Sequence, residues 1–132
     1  MSRYLLDTTV LIDHSLGLFG ATALIERLLS ETGDLFTCDA VVAEALSKGS
    51  DDERAAIENV ISVLEYVSTT PDAARWAAAA RRLRARYPSH RLADALVAGV
   101  AWSLDAIIVT RNPKDFEGQG VGVLAYGPAA IA

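Results

Sequence analysis

The chain has 132 residues, 52% hydrophobic and 22% charged, with twelve Lys and Arg against seventeen Asp and Glu for a net charge of −5. That length fits one domain, 1–132, and that apolar content excludes a disordered chain. Net acidity at first argues against a phosphate-rich partner, and the lone Cys38 excludes an intramolecular disulfide and a cysteine-built metal site.

Arg3–Leu6 is short, apolar and closed by Asp7, which suits a buried strand. Asp7-Thr8-Thr9 offers caps for a helix carrying Val10, Leu11 and Ile12. Ala21, Leu24, Ile25, Leu28 and Leu29 have helical spacing, and Gly33 closes that helix. Leu35–Cys38 is a second strand. Asp39 is expected to cap a helix running to Gly49, and Asp51 and Asp52 open another. Tyr66-Val67 is a short strand. Pro71 suits a first helical turn, and the Ala-rich run is expected to reach Tyr87 and stop at Pro88. A helix follows from Arg91 to Ser103. Ala106–Val109 is a doubly buried strand, Asn112-Pro113 a turn, and Gly122–Tyr126 a last strand. Apolar strands alternating with helices indicate an α/β domain with a mainly parallel central sheet and helices on both faces. The N-terminus does not read as a signal peptide, and Asp94 and Asp105 break the longest apolar stretch, so the expectation is a soluble cytoplasmic protein with no membrane role.

Ligands of such sheets gather beyond the carboxyl ends of the strands. Asp7 follows one strand, and Thr110, Asn112 and Asp115 follow another. Glu44 and Asp94 sit on otherwise apolar helical segments. Each acid alone has an ordinary account as a cap, a dipole partner or an exposed side chain. Together they point to a divalent-cation site, because desolvating a carboxylate is costly unless it is paired or metal-bound. Mg²⁺ and Mn²⁺ take oxygen ligands, and carboxylates with no His or Cys nucleophile suit metal-assisted phosphodiester hydrolysis. Left without metal, the acids repel and some should titrate high.

The segment Leu5-Leu6-Asp7-Thr8-Thr9-Val10-Leu11-Ile12-Asp13 resembles the opening motif of PIN-domain nucleases. Val42–Leu46, Leu92–Ala98 and Val109–Phe116 resemble the family's other three acidic blocks, in order and across nearly the whole chain. The pattern is similar to that of the VapC group, the toxin ribonucleases of type II toxin–antitoxin pairs. The resemblance implies a three-layer PIN-like domain and an Mg²⁺- or Mn²⁺-dependent endoribonuclease acting on RNA. It implies Asp7, Glu44, Asp94 and Asp115 as metal-binding acids, Asp7 and Asp94 most directly, with Thr9 and Asn112 supporting. It also implies a homodimer, a cognate VapB-type antitoxin whose C-terminal segment reaches the acidic pocket, and a higher hetero-oligomer with it.

Six of the twelve basic residues, Arg75, Arg81, Arg82, Arg84, Arg86 and Arg91, fall on one helix and its exit. They form either a solvated face or a phosphate track. Arg81, Arg82, Arg91, Arg111 and Lys114 are therefore candidate substrate contacts, and Thr110 joins the supporting residues. Asp13 points to solvent or pairs with a base, Asp105 enters a strand, and Trp76 and Trp102 belong to the core or an interface. His14 and His90 have surface or acid–base roles, and nothing beside Cys38 activates a thiolate. Two other classes stay open. One is an aspartyl-phosphate phosphatase or receiver, disfavoured by Thr9 two positions after Asp7. The other is a non-catalytic metal- or partner-binding α/β module.

Overall fold

Five short parallel strands and six α-helices alternate in the computed structural model, which describes residues 2–31, 33–83 and 91–128. In chain order they are β1 (Arg3–Leu6), α1 (Thr8–Leu16), α2 (Ala21–Glu31), β2 (Leu35–Cys38), α3 (Asp39–Ala45), α4 (Asp51–Ile61), β3 (Glu65–Val67), α5 (Pro71–Leu83), α6 (Leu92–Leu104), β4 (Ala106–Thr110) and β5 (Val123–Ala125). A short 3₁₀ turn, Pro113–Phe116, links β4 to β5. The expected stop of α5 at Tyr87-Pro88 lies outside the described residues, as do Arg84, Arg86 and His90.

The strand order is β3-β2-β1-β4-β5, and every pair is parallel. Parallel sheets are covered on both faces, which is why β1, β2 and β4 read as nearly unbroken apolar runs. Leu5, Leu6, Ile108 and Val109 are fully buried at the centre. Right-handed crossovers carry α1–α4 over one face on the way from β1 to β3, and α5 and α6 over the other on the way back. In the packing, α1 lies against α2, α3 and α4, and α5 against α6, while α3 also meets α6. The sheet is thus the middle layer of three. No helix among the described residues is long and apolar enough to cross a membrane.

Two details of this frame correct the sequence reading. Cys38, not Asp39, holds the N-cap position of α3; the Asp39 carboxylate accepts the Ala40 N–H of the first turn at 2.9 Å, and also the Thr69 N–H at 3.0 Å and the Thr69 hydroxyl at 2.7 Å. It pins the β3–α5 loop, a partner 30 residues away that local pattern does not reveal. Asp105 is the left-handed C-cap of α6, at φ 53°, so it ends the helix before β4 begins.

Candidate active site

The order in which strands are added reverses between β1 and β4. β1 leads outward to β2 and β3, while β4 leads the other way to β5, so a crevice opens at the carboxyl ends of this central pair. Register places Leu6 opposite Val109, and the Asp7 N–H donates to the Val109 carbonyl at 2.9 Å. Asp7 and Thr110 therefore leave adjacent strands side by side.

Asp7 occupies the N-cap position of α1 yet makes no side-chain capping bond. Its Oδ2 accepts the Thr110 hydroxyl at 2.8 Å and the Thr9 hydroxyl at 3.3 Å. Only 4% of the residue is exposed. Burial pushes its pKa up to about 6, against the hydrogen bond from Thr110 and with help from the charges of Asp115 and Glu44. Asp94 enters from the first turn of α6, whose other buried residues are apolar or glycine. It too is buried, and its Oδ2 has no hydrogen-bond partner among the described residues. Burial, and then the charges of Asp115, Asp7 and Glu44, raise its pKa to about 7, with Arg91 opposing.

Asp115 lies on the 3₁₀ turn after β4, where its Oδ2 accepts the Asn112 amide at 2.9 Å. Its pKa is raised by burial, which the Arg91 charge and the Asn112 bond counter. Glu44 is half-buried on α3, and its Oε1 accepts the Thr8 hydroxyl at 3.1 Å. The four acids thus meet as an electrostatic unit. No three of them are drawn into a ready-made metal cage among the described residues. Mg²⁺ binds through as few as one or two carboxylates while keeping waters, so a cage of three is not required. The donor set fits a hard divalent cation: all oxygen, two groups buried, and one buried oxygen left unpaired, an arrangement that is costly without a cation or proton.

Among the supporting residues, Thr9, Thr110 and Asn112 all touch an acid or each other. Thr8, which the sequence offered only as a cap, serves Glu44; the run of two threonines after Asp7 was the available signal. Gln119, not singled out, donates to the Asp115 carbonyl at 2.8 Å. The basic candidates divide. Arg91 is exposed at the N-cap of α6 and acts electrostatically on Asp94 and Asp115. Lys114 is exposed beside Asp115. Arg81 and Arg82 are exposed on the last turn of α5, outside this cluster. Arg111 turns inward to Asp13, which is buried rather than solvent-facing. Trp76 and Trp102 stack at 5.9 Å on the α5–α6 face, beside an open groove of about 570 Å³ that also includes Leu83.

Residues 4–118 match the model of the PIN domain family. The chain is 31% identical over 113 residues to Ribonuclease VapC19 of Mycobacterium tuberculosis, covering 85% of this chain and 90% of that protein. Its fold is similar to that of a VapBC2 complex from Rickettsia felis bound to a promoter DNA fragment (TM-score 0.78, 20% identity, 94% of this chain and 98% of the other). It is also similar to that of a DNA-bound VapBC from Salmonella typhimurium (TM-score 0.77, 23% identity, 95% of this chain and 98% of the other).

Proposed function

The chain belongs to the PIN domain family, and we propose from that membership that it is a metal-dependent endoribonuclease, the toxin of a toxin–antitoxin pair. The observation that carries this reading is the pair of buried carboxylates, Asp7 and Asp94, at the strand-order reversal, with Asp94 Oδ2 unpaired. Asp7 and Asp94 hold Mg²⁺ or Mn²⁺ directly, Glu44 directly or through water, and Asp115 at the edge of the site. Such a cation neutralises phosphate charge and lowers the pKa of a water it binds. Thr110 and Thr9 keep Asp7 oriented by donating to its Oδ2. Asn112 does the same for Asp115. Arg91 and Lys114 lie where they can meet the RNA backbone beside the acids, and Arg81 and Arg82 extend the contact along α5.

The partners follow the same family logic. A VapB-type antitoxin neutralises the enzyme, and two copies of the chain form a homodimer that assembles further with antitoxin. Exposed apolar side chains at the end of α1 (Leu16, Leu18, Phe19) and on the α5–α6 face (Leu83, Leu92, Trp102) supply surface for such contacts. The protein works in the cytoplasm, where its RNA is. The test is RNA cleavage with Mg²⁺ or Mn²⁺, read by sequencing 5′ ends. Cleavage should vanish with EDTA and in Asp7→Asn or Asp94→Asn while the thermal transition persists. Full activity in excess EDTA would overturn the proposal.

A further inference from the structure

Thr110, Arg111 and Asn112 leave the end of β4 in alternation. The Thr110 hydroxyl goes to Asp7 and the Asn112 amide to Asp115. The Arg111 side chain goes to Asp13 at the far end of α1. Arg111 Nε donates to Asp13 Oδ2 at 2.7 Å, and Nη2 to Oδ1 at 3.4 Å. The Tyr126 hydroxyl, just after β5, donates to the same Oδ2 at 2.7 Å. The Phe19 ring lies 4.4 Å from the guanidinium carbon. Gly127 closes the pocket at φ +60°, where a Cβ would stand 3.3 Å from Arg111 Cδ and 3.1 Å from Phe19 Cβ. The charged side chains are 16% and 3% exposed.

A buried ion pair adds little stability over an apolar pair of similar volume, so its use lies in orientation. The fork of an Arg on a carboxylate fixes direction as well as distance. Here the fixed residue sits between two that serve the acids. Its own backbone N–H also donates to Thr9 Oγ1 at 3.1 Å, which directs the Thr9 proton toward Asp7. We propose that Arg111 is a positioning residue: clamped by Asp13, Tyr126 and Phe19, it holds Thr9, Thr110 and Asn112 so that their donors face Asp7 and Asp115, and it does not contact RNA. This rests on the metal-site reading above.

The test measures Mn²⁺ binding by calorimetry on the intact chain, together with anisotropy of a fluorescent single-stranded RNA without metal. Arg111→Lys keeps the charge and loses the fork. Asp13→Leu with Arg111→Met removes the pair without stranding a buried charge, and Tyr126→Phe removes one hydroxyl. The first two should lower Mn²⁺ affinity about 10- to 100-fold, the range for losing a residue that orients a ligand, with Tyr126→Phe in between and RNA affinity unchanged. Unchanged Mn²⁺ affinity with a lowered melting temperature would make the clamp merely structural and overturn the proposal. Unchanged Mn²⁺ affinity with weakened RNA binding would make Arg111 a substrate contact and overturn it too. Asp7→Asn separates the two levels. If it binds Mn²⁺ as the wild type does, the metal-site reading falls and takes this one with it. If it loses Mn²⁺ while the Arg111 variants keep it, only the positioning role falls.

Discussion

Asp7 and Asp39 each open a helix by sequence, and each turns its carboxylate mainly to threonines far along the chain. Asp39 spends its carboxylate on Thr69 and becomes a strut. Asp7 spends one oxygen on two hydroxyls and stays poised near neutrality at about 6, and Asp94 at about 7. Both values lie above the ordinary 3.8, so through that interval the folded chain holds protons that the unfolded chain has released. Metal-free stability should therefore be highest near the lower end and fall as pH rises through about 7. A tenfold change in proton affinity is worth about 1.4 kcal/mol, so the loss is on the order of a few kcal/mol. Thermal melts of metal-free protein from about pH 4 to pH 8 should show it. Mg²⁺ or Mn²⁺ should restore the melting temperature at the alkaline end, because it binds only the folded state. Asp94→Asn should flatten the slope and melt higher than the metal-free wild type above neutrality. A slope of opposite sign would contradict the burial of these acids.

At the scale of elements, β4 and α6 carry most of the design. β4 is apolar on both sides until Thr110, where it ends in the groups that serve the acids. α6 is apolar almost all round, as a helix covered on several sides must be, apart from Asp94 in its first turn. Gly99 lets α5 approach, since a Cβ there would lie 2.5 Å from the Ala73 carbonyl oxygen, a backbone atom that cannot swing away. Gly99→Ala should destabilise by about 1–3 kcal/mol through overpacking, read as an earlier midpoint in denaturant with unchanged slope. These elements were legible in the sequence because period and burial are local signals. Glu44 and Asp94 stood out as candidates because charge on an apolar stretch is conspicuous, and Asp7 and Asp115 because each follows a strand. Thr8 beneath Glu44, Asp39 on Thr69 and Arg111 on Asp13 were not, because each pairs residues 30 to 98 positions apart and any surface acid or base could fill such a role. Arg111 beside Asp115 read most simply as a substrate contact; only the fold shows its side chain turned the other way.

At the scale of the molecule, a net charge of −5 describes no particular face. The acids converge at one crevice, while Arg81, Arg82 and Arg91 stand exposed on α5 and at the start of α6. If α5 tracks RNA, Arg81→Ala with Arg82→Ala should shrink the slope of log affinity against log salt by about 1 to 1.5, at about 0.7 per phosphate contact on a single strand. An unchanged slope in anisotropy titrations would mark this turn as solvated surface only. The strand order has a further consequence in time. Asp7 emerges from the ribosome ahead of the other acids, whereas the Thr110 hydroxyl that orients it comes 103 residues later, and Asp115 later still. Because synthesis runs from the N-terminus, a nascent chain has no completed site until β4 has inserted beside β1. A chain interrupted before β4 thus carries Asp7, Glu44 and Asp94 without the hydroxyl that orients the first of them or the acid at the edge of the site.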